Sequence, residues 1–138
     1  MSAVDFAEWA APHLVLTFGE HTFRVAPPTT GEVTARVLAL AVVAEVELGL
    51  VTGPIPDAIQ EIVDGIGPDE HPALRDAYGQ MKDLAERHEM LPESIDRAAV
   101  YAIFFWARGR EYADWIAQLI WTRISEATDE AERLRPKG

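Results

Sequence analysis

The chain has 138 residues, 49% of them hydrophobic, enough for one domain with a core and too few for two comfortable ones. A formal charge of −11 makes a field that repels phosphate backbones and anionic membranes, so neither nucleic acid nor a membrane is an expected partner. With no cysteine there are no thiol nucleophiles, disulfides or cysteinyl metal sites, and a reducing cytoplasm suits the chain.

The first residues, Met1-Ser2-Ala3-Val4-Asp5, lack a basic region followed by a long apolar core, so no secretory signal is expected. Residues 1–13 read as an arm or short helix: Ser2-x-x-Asp5 has cap spacing, and Phe6 and Trp9 share a face at i, i+3. Two readings stand for that arm, packing on the body or reaching a partner through Trp9.

Residues 14–25 spell a β-hairpin. Leu14, Leu16 and Phe18 alternate with Val15 and Thr17, Gly19-Glu20 supplies a turn, and Thr22 to Val25 return as a β-branched and aromatic run. Pro27-Pro28 stop further strand pairing, and Thr29-x-x-Glu32 has the spacing of a capping box. Val33, Val37, Leu40, Ala44 and Leu48 then repeat at helical spacing until Gly49.

A loop at residues 52–56 precedes a short helix that Asp57-x-x-Gln60 would cap and Gly65 would end. Residues 67–72, rich in glycine, proline and acid, make a second break. Leu74, Tyr78, Met81 and Ala85 mark the next helix, weakened by Gly79 inside it. Pro92 suits a first helical turn, and Gly109 marks the end of that helix.

Within residues 92–109, Ile95, Ala99, Ala102 and Trp106 make one stripe, and Arg97, Tyr101, Phe104 and Arg108 make nearly the opposite one. The second stripe has charged ends and an aromatic middle. Either it faces water as a site for another protein, or the helix is central and buried on both sides by its neighbours.

The final helix is expected over residues 110–127, with Tyr112, Ile116, Leu119 and Ile120 inward and Asp114, Gln118, Trp121 and Ser125 on the polar side. Trp121 is out of place there. It reads as a contact residue, or as a side chain folded back on the hairpin or the arm. Residues 126–138 are polar and charged, a fraying helix end or a tail. The apolar runs at 37–44 and 98–107 are closed by charges well short of the roughly 20 residues a membrane span needs, so both are core helices.

Catalytic constellations are missing their parts. The residues three before His13, His21, His71 and His88 are Ala10, Phe18, Pro68 and Ala85, so no Glu-x-x-His pair exists for a helical di-iron site. There is no G-x-S-x-G elbow, and Gly65-Ile66-Gly67-Pro68 continues to Glu70 where a third glycine would be required. Asp69, Glu70 and His71 are adjacent loop residues that cannot enclose an ion without distant ligands. Acidic pairs such as Glu45 with Glu47 read as solvated surface. No enzymatic activity, cofactor or metal is expected.

The order Leu14-x-Leu16-x-Phe18-Gly19, Phe23-Arg24-Val25-x-Pro27-Pro28, a long Ala/Val/Leu helix, Ala77-Tyr78-x-x-Met81 and an aromatic-rich C-terminal helical pair ending near Trp121 resembles the tail assembly chaperones of phages that infect actinobacteria. The resemblance covers about residues 14–121. Members commonly carry an acidic-Gly-aromatic turn after the Tyr-x-x-Met helix, where this chain has residues 85–92, AERHEMLP, and departs from the family.

The resemblance implies a protein that coats the tape measure protein, brings tail tube subunits to it in the host cytoplasm and leaves before the virion is complete. It also implies the shorter, upstream product of a frameshifted pair. The Pro136-Lys137 codons would then hold a slippery run, and the tail would link to a downstream domain in the longer form.

The fold expected is α+β, mainly α: one globular domain over residues 14–125, with an N-terminal hairpin packed on a bundle of about four helices. From helical phase, Tyr101, Phe104 and Trp121, with Trp9 as a fourth, are the candidate partner-binding residues. A non-enzymatic structural or regulatory homo-oligomer is the alternative function.

Overall fold

A computed structural model describes residues 14–134, leaving aside the side chains at 123–128, 131–132 and 134. It begins with an antiparallel pair, β1 (Leu14–Phe18) and β2 (His21–Val25), in the register Leu14↔Val25, Leu16↔Phe23, Phe18↔His21. Alternation sends Leu14, Phe23 and Val25 into the core and leaves Val15, Thr17, Thr22 and Arg24 exposed. The two-residue connection holds Gly19 at φ 59, a left-handed position that a side chain would strain.

Among the described residues five helices follow, so the architecture is α+β and mainly α, as the sequence patterns imply. Helix α1 (Gly31–Glu47) is capped by Thr30, whose hydroxyl accepts from the Val33 amide at 3.2 Å. The cap therefore sits one residue beyond Thr29, and Glu32 bonds Arg36 at 2.8 Å instead of closing a box. At the other end Gly49 has φ 77 while the Leu50 amide reaches the Glu45 carbonyl at 2.9 Å, a Schellman stop.

Helix α2 (Asp57–Asp64) packs on α1 and begins after Pro56 without a side-chain cap; Gln60 donates to Asp64 at 2.8 Å, so the expected Asp57–Gln60 cap is not formed. Helix α3 (Asp76–Glu86) buries Ala77, Met81 and Leu84 and packs against β2 and α4. Arg75 precedes it at φ 53 and donates to the Pro27 carbonyl at 3.0 Å, tying the hairpin exit to the start of α3.

Helix α4 (Pro92–Arg108) is the central element, packed against α1, α3 and the last helix, and it buries Ile95, Ala98, Ala99, Ala102, Ile103, Phe104 and Phe105. Gly109 alone separates it from α5 (Arg110–Leu134), at φ 101 and ψ 167, a conformation open essentially to glycine only. Its amide bonds the Phe104 and Phe105 carbonyls, both at 3.1 Å, and its carbonyl accepts from Ala113, so one residue ends α4 and starts α5. Helix α5 continues beyond 127 to Leu134, which makes most of the polar C-terminal stretch helical. The arm at 1–13 and the residues 135–138 lie outside the described part.

Candidate functional site

The antiparallel α4–α5 pair forms a groove toward the N-terminal end of α4. Val100, Tyr101, Ile116, Ala117, Ile120 and Trp121 make its apolar lining, in a volume of about 410 Å³, and Glu93, Asp96 and Arg97 line its outer part. A second hollow of about 350 Å³ lies between this groove and the hairpin, where Leu16 and Phe18 face Ala98. Arg97, Tyr101 and Trp121 line both hollows and form the ridge between them.

Tyr101 is fixed by its polar end. Its hydroxyl donates to Asp114 Oδ1 across the helix pair at 2.6 Å, and its ring stacks near Phe105 with centroids 6.3 Å apart. Burial first, then the hydrogen bond and charge of Asp114, push the Tyr101 hydroxyl up to about 12 from 10.0. Trp121 is 45% exposed and lines the hollow beside Leu16 and Phe18 of the hairpin.

Of the four residues selected from helical phase, Tyr101 and Trp121 come together and Phe104 does not join them. Phe104 has no exposed surface and packs against Tyr112 at a centroid distance of 5.5 Å, so it belongs to the core. Three residues advance a helix by about 300°, leaving Phe104 roughly 60° away from Tyr101, enough to rotate it from the groove onto the buried face. Trp9 lies outside the described residues.

At Phe104 the stripe takes the second of its two readings, burial among neighbouring helices. Arg108 donates to Glu45 Oε1 at 2.9 Å and Tyr112 to Glu45 Oε2 at 2.7 Å, joining α1, α4 and α5 around one carboxylate. Glu45 is only 6% exposed, which corrects its reading as solvated surface. The signal was present in the spacing: Val37 and Ala41 are buried at four-residue steps, and Glu45 is the next position on that face. Desolvation, then the Glu45 contact, raises the Tyr112 hydroxyl above its ordinary value, so the phenol stays a donor.

Trp115 is a further feature that the sequence patterns left unmarked. It is 49% exposed, with its ring 5.6 Å from that of Tyr112, close to the turn between α4 and α5.

The acidic loop is occupied by internal contacts. Asp69 pairs with Lys82 at 3.2 Å and Glu70 approaches Arg36 at 3.7 Å. His71 Nδ1 accepts from the Ala73 amide at 3.2 Å, and burial lowers its proton affinity against the opposing charge of Asp96. Among the described residues no group of three His, Cys, Asp or Glu is arranged to hold a metal ion, and no helix is long and apolar enough to cross a membrane.

The groove is an apolar trough with a mixed-charge rim, able to bury one face of a helix. No protein-family model, curated protein or solved structure matches this chain.

Proposed function

We propose that the protein is a phage tail assembly chaperone, a non-enzymatic factor that binds and solubilises the tape measure protein and helps recruit tail tube subunits in the host cytoplasm. The observation that carries the reading is the α4–α5 groove, with an apolar floor and with Tyr101 and Trp121 on one ridge. A long helix-forming client presents apolar stripes, and a trough of this kind takes such a stripe out of water. The charge of −11 supplies the complementary property, since it keeps a coated client in solution by mutual repulsion. Modest affinity repeated at many sites allows later displacement by polymerising tube protein.

A second reading, a structural or regulatory homo-oligomer, draws on Trp115 and Val51, which are 49% and 48% exposed outside the groove. Tight self-association independent of client would favour it.

Co-expression with the tape measure protein, followed by pull-down and a solubility assay, separates the two. The chaperone reading expects soluble client with the wild type and precipitated client with a folded Trp121→Ala variant. Client that precipitates in both cases, beside a tight homodimer, overturns it.

A further inference from the structure

The proposed client site is unevenly charged, and that asymmetry specifies its occupant further; the inference rests on the chaperone reading. The floor, Val100, Ile116, Ala117 and Ile120, leads toward the first turns of α4, where Glu93 and Asp96 stand at the rim. These two carboxylates are three residues apart, share one side of α4 and are exposed. Among the described residues, neither forms an ion pair.

Arg97 also lines the hollow beside the hairpin, about 100° around α4 from Asp96 and, at i, i+4, about 40° from Glu93. The rim thus grades from Asp96, on the side away from the hairpin, through Glu93 to Arg97 toward it. At the same end of α4, Leu91 is 68% exposed.

Candidate occupants differ in charge. A second copy would bring another −11 and its own acidic residues to Glu93 and Asp96. Residues 1–13 of this chain hold Asp5 and Glu8 and no lysine or arginine. A client helix with a basic flank meets no such opposition. We propose that the groove takes an amphipathic helix whose apolar stripe lies on Val100, Ile116 and Ile120 and whose flanking lysine or arginine faces Glu93 and Asp96.

Two synthetic helical peptides test this on the full chain, identical in their alanine and leucine stripe, one flanked by lysines and the other by glutamates. Fluorescence anisotropy should show the lysine peptide binding about tenfold tighter, with two exposed charge pairs supplying the difference. That ratio should shrink at high salt and fall most of the way to unity in a Glu93→Gln/Asp96→Asn variant that keeps its helical circular dichroism. Equal binding of both peptides, with Trp121→Ala weakening both, overturns the charge inference while leaving the groove as a client site. Binding of neither peptide overturns both. A dimer that Trp121→Ala dissociates gives the groove to a second copy, and tighter peptide binding by Phe6→Ala/Trp9→Ala than by wild type gives it to residues 1–13; either result overturns the proposal.

Discussion

The helix pair α4–α5 is built differently at its two ends. Near Gly109 a buried carboxylate has each oxygen bonded, Glu45 to Arg108 and to Tyr112, and Phe104 packs against the ring of that same tyrosine. Toward the start of α4 the helices leave an apolar groove with half-exposed Trp121 at its edge. A polar group inside a fold is held in place because leaving it unpaired is expensive, whereas an apolar groove stays available to any fitting partner. One end therefore fixes the geometry and the other offers surface.

The largest effect expected at the fixed end is that of Phe104→Ala, which should lower unfolding free energy by about 3–5 kcal/mol through the cavity it leaves. Urea denaturation measures it, and a loss below about 1 kcal/mol would mean the site collapses or was not packed.

Glu45→Ala should come next, at about 2 kcal/mol, because it strands the partly exposed Arg108 and the Tyr112 hydroxyl rather than a fully buried charge. Glu45→Gln should restore about half of that by keeping hydrogen-bond acceptance with less charge. Equal stability of Glu45→Ala and wild type would contradict the clamp.

A smaller effect crosses the pair at the open end. Tyr101→Phe removes one hydrogen bond to Asp114 and should lower stability by about 1 kcal/mol. The pH dependence has a definite sign. The folded Tyr101 holds its proton to about 12 against 10.0 unfolded, so the folded state binds more protons between those values and stability falls as pH rises through them. Below pH 10 that contribution is complete. Denaturation series above pH 9 should therefore slope less steeply for Tyr101→Phe than for wild type, with Tyr112, raised likewise, accounting for part of the remaining slope.

The smallest effect lies outside both ends of the helix pair. His88 closes α3 at φ 60, with the Glu89 amide on the Leu84 carbonyl at 2.8 Å, a left-handed position where glycine is favoured. His88→Gly should raise thermal stability modestly, by roughly 0.5–1 kcal/mol, and leave groove binding unchanged. A clear loss would assign the imidazole a contact of its own.

Much of the fold was legible because its signals are local. Alternation over residues 14–25, proline at 92 and glycine at 49 and 109 each constrain the backbone within a few residues, and the strands and helices follow them. What misled was phase. Tyr101 and Phe104 share a broad stripe on a helical wheel, yet α4 touches neighbours on several sides, and a rotation of roughly 60° separates groove from core. Glu45 was misplaced because its charge outweighed its position, and only the Arg108 and Tyr112 partners, 63 and 67 residues later, explain its burial. Thr30 rather than Thr29 became the cap because adjacent threonines offer equivalent hydroxyls and sequence spacing does not choose between them. The groove is a tertiary object: Val100, Tyr101, Ile116 and Trp121 converge only when Gly109 folds α5 back along α4.

Whether the open end of the α4–α5 pair is the proposed docking surface is tested by a methyl NMR titration of the full chain with a helical segment of the tape measure protein. Docking in the groove should shift Val100, Ile116 and Ile120, which line it, with no shift at Ile59 and Ile62 on α2. Shifts centred on α2, or changes limited to residues around the exposed Trp115, would contradict it.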